Sequence, residues 1–171
     1  MRRLSLAGYL FVFLWSAWFF AIQGVAVGGE LGPWTPDLGL VLLLALDSRL
    51  SGGDARRMAL VVSLARSSFS CDSTAAIITG YLGVVGVSSA LRAAMEVDGY
   101  FLRSILACVY SGVLSAWWIV CHQLGLGAEL YIAPQELWPS AISTALCALL
   151  VGPLLVGLPG FSSIRKRGRR R

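Results

Sequence analysis

The chain has 171 residues, of which 57% are hydrophobic and 13% charged, and its formal net charge is +5. A soluble domain carries about 25% charged residues, so this composition, with a mean hydropathy of +0.74, excludes a water-solvated globule and points to lipid as the natural solvent. The basic residues lie in short clusters between apolar segments, which is a pattern of membrane topology and not of nucleic-acid binding.

The first apolar segment, 4–29, follows Arg2 and Arg3 and contains no charge. It is far longer than the roughly 7–15 residues of a signal-peptide core, so it reads as an uncleaved first span. Pro33, Trp34 and Pro36 interrupt the chain. The second segment, 34–50, holds an aliphatic run from Leu38 to Leu46 with Asp37 and Asp47 at its ends. A turn, Ser51-Gly52-Gly53-Asp54, leads into the third segment, 57–72, and the two predict a tight helical hairpin. Segments 74–92, 101–124 and 137–159 complete the set, with Pro153 expected to kink the last. Residues 165–171 form a basic tail. The expectation is an all-α, polytopic membrane protein with six transmembrane helices in one domain.

Charge distribution tests that segmentation. With the N-terminus inside and every segment a span, thirteen of the fourteen basic residues fall on the inner side, Arg66 being the exception. Such asymmetry is what the positive-inside rule predicts for an even number of spans and cytoplasmic termini. Merging or dropping segments two and three gives a four-span alternative of the same parity, but leaves Arg49 to Arg57 without a membrane-bounded loop.

Depths counted outward from the hairpin turn place Asp37 opposite Arg66 and Asp47 opposite Arg56 and Arg57. An ionisable group at the centre of a span costs about 2.5–3.5 kcal/mol on insertion scales, so such groups pair or face a wet interior. The spacing predicts an intramembrane ion pair, Asp37–Arg66, and an inner-leaflet charge cluster of Asp47, Arg56 and Arg57. The competing reading is that each charge snorkels separately to the headgroups.

Small residues recur at spacings of three and four. Ser140, Thr144, Ala148 and Gly152 form a candidate helix-packing stripe, Cys108, Gly112 and Ala116 a second, and Gly80, Gly83, Gly86 and Ala90 mark the fourth segment. In lipid, close backbone approach along such stripes does much of the helix packing, and packing inside the bundle is the expected use. Residues for chemistry are sparse. The single histidine, His122, has no partner set for a metal, the four cysteines lack paired spacing, and no nucleophile elbow or phosphate loop occurs. There is no asparagine and there are only three glutamines. No catalytic, cofactor-binding or metal-binding residue is therefore predicted.

The order of segments, with "PDLGLVLLLALDSRL" as the second, resembles the rod shape-determining protein MreD family, in which a Pro-Asp is followed by a leucine-rich run. Pro36-Asp37 matches that pattern. Ser63-Leu64 and Arg66-Ser67 stand where the family usually has Gly-Leu and an acid, and "TGYLGVVGVSSALR" (Thr79 to Arg92) is similar to its fourth span. The resemblance implies a divergent, non-enzymatic inner-membrane subunit of the cell-wall elongation complex. Its implied partners are MreC, the glycosyltransferase RodA and a penicillin-binding transpeptidase, linked indirectly to the MreB filament. The implied fold is similar to the six-helix substrate-binding (S) components of energy-coupling-factor (ECF) transporters. That kinship supplies the alternative function, binding of a small vitamin-like substrate for uptake, with Ala17 and Ala21 at the docking spacing. The basic tail is expected either to bind anionic lipid or to serve as a topology anchor.

Overall fold

Ser5 opens the first helix, α1 (Leu6–Gly28), by accepting the Gly8 N–H on its hydroxyl. This supplies one of the partners that the first turn of any helix lacks. Only one stripe of α1 is buried: Gly8, Val12, Ser16 and Phe20, at a strict spacing of four. Leu6, Leu10, Leu14, Trp18 and Val25 are exposed, as suits a helix at the edge of a bundle in an apolar solvent.

The computed structural model describes residues 5–29, 32–47, 50–70, 72–94, 100–125, 137–155 and 157–158. Its regular elements are all helical. After α1 come a single 3-10 turn (Gly32–Trp34), α2 (Leu38–Asp47), α3 (Gly52–Ser67), α4 (Thr74–Ala94), α5 (Tyr100–Gln123), α6 (Leu137–Leu150) and α7 (Gly152–Leu155). Among the described residues, three helical stretches, Leu6–Gly28, Thr74–Arg92 and Phe101–Gln123, are long and apolar enough to cross a membrane.

The hairpin differs in detail from the predicted pair of spans. The segment 34–50 contains only ten helical residues, α2, about 15 Å at 1.5 Å per residue. That is half of the roughly 30 Å hydrocarbon core. Pro36 has no N–H to give to a helix, so the chain enters extended and Asp37 acts as the cap. Gly39, Leu40, Val41, Leu42, Leu43, Ala45, Leu46 and Asp47 are all buried, so α2 is covered on almost every side by other parts of the chain. It packs against each of the other six helices. The third helix begins earlier than expected, at Gly52, because Ser51 caps it. The Ser51 hydroxyl accepts the Asp54 N–H at 3.2 Å and donates to the Asp54 carboxylate at 2.9 Å.

The last apolar segment is two helices. Pro153 leaves the carbonyl four residues before it without a donor, and the chain turns at Val151 between α6 and α7.

Cross-links fix which ends lie together. The Tyr9 hydroxyl near the start of α1 donates to Asp54 at the hairpin tip, and Asp47 beside that tip pairs with Arg92 near the end of α4. One end of the bundle therefore holds the start of α1, the hairpin tip, the end of α4 and the start of α5. The helices α1 to α6 alternate in direction.

In α4 the expected inward packing of the small residues holds on one side only. Gly80 faces inward: an added Cβ would stand 2.8 Å from a Leu114 methyl and 3.0 Å from the Trp117 ring. Gly83, Gly86 and Ala90 instead lie on the exposed face of α4, and a Cβ at either glycine would meet nothing within 4 Å.

Candidate functional site

The polar centre of the bundle is built from the top of α2. Asp37 caps that helix, its Oδ1 accepting the Leu40 N–H at 2.9 Å and its carbonyl the Val41 N–H at 3.1 Å. A carboxylate is favourable at this end of a helix, where the aligned peptide dipoles are positive. From α3, Arg66 Nη1 donates to Asp37 Oδ2 at 2.6 Å. The same nitrogen donates to the Tyr81 hydroxyl of α4, also at 2.6 Å. That hydroxyl in turn donates to Asp37, at 3.0 Å from Oδ1 and 3.1 Å from Oδ2. The result is a closed triangle of carboxylate, guanidinium and phenol.

Three aromatic rings line the guanidinium. Its carbon lies 5.1 Å from the Trp118 ring of α5, 5.6 Å from Tyr81 and 5.8 Å from Phe20 of α1. At such distances a cation is attracted to the ring face, by about 2 kcal/mol when desolvated. The sixth helix joins through Thr144, whose hydroxyl accepts the Asp37 N–H at 2.9 Å and donates to the Ser140 carbonyl at 2.7 Å. One residue from each of α1, α2, α3, α4, α5 and α6 thus meets at Asp37 and Arg66.

Chemically this is a cross-link. Both oxygens of Asp37 are engaged by donors, and its side chain is only 10% exposed. Burying the two charges is costly, and good geometry with further hydrogen bonds is what repays that cost. Asp37 and Arg66 meet both conditions.

The second predicted cluster is not assembled as expected. Asp47 does not meet Arg56 or Arg57. Its Oδ2 is bound by Arg92 Nη2 and receives the Ser88 hydroxyl at 2.7 Å, both from α4. Arg92 Nη1 also donates to the Asp47 carbonyl. The physical reason lies in helix polarity. Asp47 stands at the C-terminus of α2, where a carboxylate is disfavoured, and Arg92 engages both the side chain and the terminal carbonyl. Arg57 turns instead to Asp54, 3.7 Å away in the preceding turn of its own helix, with its side chain 65% exposed. Arg56 is exposed.

The stripe Ser140, Thr144, Ala148 and Gly152 faces inward. Thr144 and Gly152 are buried and Ser140 and Ala148 half-buried. Ser140 donates to the Thr35 carbonyl at 3.3 Å, which ties α6 to the extended entry of α2. The basic tail, 165–171, lies outside the described residues. Among the described residues no three His, Cys, Asp or Glu side chains gather as metal ligands would.

Sequence reasoning did not join Tyr81, Phe20, Trp118 or Arg92 to these charge clusters. Tyr81 carried a usable signal. A tyrosine in the middle of an apolar span must find a partner for its hydroxyl, and the two charges on the neighbouring hairpin were the available partners. No family model matches this chain, and no curated protein or solved structure matches it.

Proposed function

We propose that the protein is a non-enzymatic membrane scaffold of the cell-wall elongation machinery, a divergent relative of the MreD family. The observation that carries the reading is the position of Pro36-Asp37. This dipeptide is the most specific point of the family resemblance, and it stands where six helices are joined. Its chemistry is spent on holding helices together, which is what a subunit that presents helix surfaces to partners requires. In this reading the chain crosses the inner membrane six times with both termini cytoplasmic. The hairpin tip, Arg56, Arg57, Arg92 and Arg103 share the cytoplasmic end. It holds an MreC-like protein, a RodA-like glycosyltransferase and a penicillin-binding transpeptidase in one assembly.

Depletion in a rod-shaped host tests the proposal directly. Rounded cells, and copurification of an MreC-like protein in mild detergent, are the expected results. Normal cell shape together with tight binding of a vitamin would overturn the scaffold reading in favour of the uptake alternative.

A further inference from the structure

The outward faces of α3 and α4 form one surface, and it is poorly suited to lipid. The two helices pack against each other in opposite directions, with Arg66 bonded to Tyr81. Stepping along both helices from that contact sets Leu64 level with Gly83, Leu60 with Val87 and Arg57 with Ala90. All of these are exposed, as are Arg56 and Gly86. The apolar part of the α3 face is short. From Arg57 to Ser68, both exposed, is about 16 Å of helix, half of the roughly 30 Å hydrocarbon core. Neighbouring α1 exposes apolar side chains from Leu6 to Val27, about 32 Å. On α4, a Cβ at Gly83 or Gly86 would meet nothing within 4 Å, so the backbone there lies open. At one end of the surface stand two arginines, Arg56 exposed and Arg57 loosely paired with Asp54 at 3.7 Å.

We propose that this face is the docking site for a single transmembrane helix of another protein, one that carries an acidic residue at the end level with the hairpin tip. Charge decides the occupant. A two-fold pairing of this chain with itself would bring Arg56 and Arg57 of both copies together, and like charges repel across an interface. An acidic partner turns the same arginines into ion pairs and fixes the register of the incoming helix. The open backbone at Gly83 and Gly86 favours a helix over a lipid tail, because close backbone approach is what holds helices together in an apolar solvent. The short apolar part of α3 is then covered by protein, and no bilayer has to thin around it. Such a groove serves a scaffold and an uptake subunit alike, so its failure would leave either reading of the function standing.

Site-specific photo-crosslinking of the full-length protein in the membranes of its own host tests the docking site. A photoreactive amino acid takes the place of Leu64 or Val87, or, for comparison, of Leu10 on the exposed face of α1. The expected result is a crosslink from Leu64 and Val87, not given by Leu10, to a peptide that mass spectrometry assigns to an apolar span with an acid at the end level with the hairpin tip. That crosslink should be lost in the double variant Arg56→Glu, Arg57→Glu and regained when the partner's acid is changed to lysine. It should also be lost in Gly86→Leu. Variants of two kinds are used so that a folding defect in one leaves the other informative. Crosslinks to lipid alone, to a second copy of this chain or to a span without such an acid would each overturn the proposal. So would a crosslink indifferent to every variant, or no crosslink beyond that seen at Leu10.

Discussion

Among the described arginines, Arg66 is the one away from the end of the bundle that holds Arg56, Arg57, Arg92 and Arg103, and its surroundings explain how it is tolerated. Removing it leaves Asp37 as an uncompensated charge among apolar helices, a change that typically costs 3–5 kcal/mol, and removing Asp37 does the reverse. Arg66→Met and Asp37→Asn are therefore each expected to lower the thermal midpoint in detergent sharply. The double variant is expected to lose no more than the worse single one, because no charge is then orphaned. Strictly additive losses would show that the pair contributes no coupling. Tyr81→Phe removes one donor and one acceptor and should cost about 1–3 kcal/mol. Arg66→Lys should not rescue the site, since an ammonium replaces the planar guanidinium lined by three rings.

At the scale of the helix, α2 shows what was legible and what was not. Its apolar run, its bordering acids and the following turn were plain in the sequence, and so was the encounter of Asp37 with Arg66, because both lie on one hairpin. The partner of Asp47 was not legible, because counting outward from a turn can find partners only within that hairpin, and Arg92 sits 45 residues further on. The length of α2 was misjudged for a related reason. An aliphatic run looks the same whether it faces lipid or other helices, and only the packing reveals that α2 is enclosed. The revised pairing makes a clear prediction. Arg92→Ala should destabilise the protein strongly by exposing the α2 terminus and stranding Asp47. Arg56→Ala should change stability by about 0.5 kcal/mol or less, as exposed positions do.

The glycines of this layer separate in the same way. A Cβ at Gly39 would overlap the Phe20 ring and stand 3.1 Å from the Tyr81 hydroxyl. Phe20 is buried and cannot swing away freely. Gly39→Ala should cost about 1–3 kcal/mol through overpacking and disturb the aromatic lining of Arg66. Gly83→Ala and Gly86→Ala, in open space, should be neutral or stabilising by up to about 1 kcal/mol, since alanine is the better helix former. A thermal-shift comparison of the three variants checks the contrast.

For the whole molecule, the alternating helix directions give a topology that reporter fusions can read. Fusions at Gly53 and at residue 171 should report a cytoplasmic location, and one at Gly125 an external one. An external signal at Gly53 would mean that the hairpin enters the membrane from the opposite side to that expected from its arginines. The all-helical architecture was visible in composition and segment lengths. The central place of α2 was not, since it depends on contacts from every other helix.

The bond between the Asp37 N–H and the Thr144 hydroxyl spans 107 residues of chain, and this has a consequence for biosynthesis. At a synthesis rate of about 5–20 residues per second, roughly 5–20 s separate the emergence of the two groups from the ribosome. During that interval α2 has its acid but not the Thr144 hydroxyl that ties it to α6, and α2 by itself is too short to settle across a bilayer. The nascent hairpin must wait in a protected setting, beside the insertion machinery or against α1 and α3, until α6 arrives. Chains stalled before Thr144 should therefore remain crosslinkable to the insertion machinery, and those extended past α6 should be released.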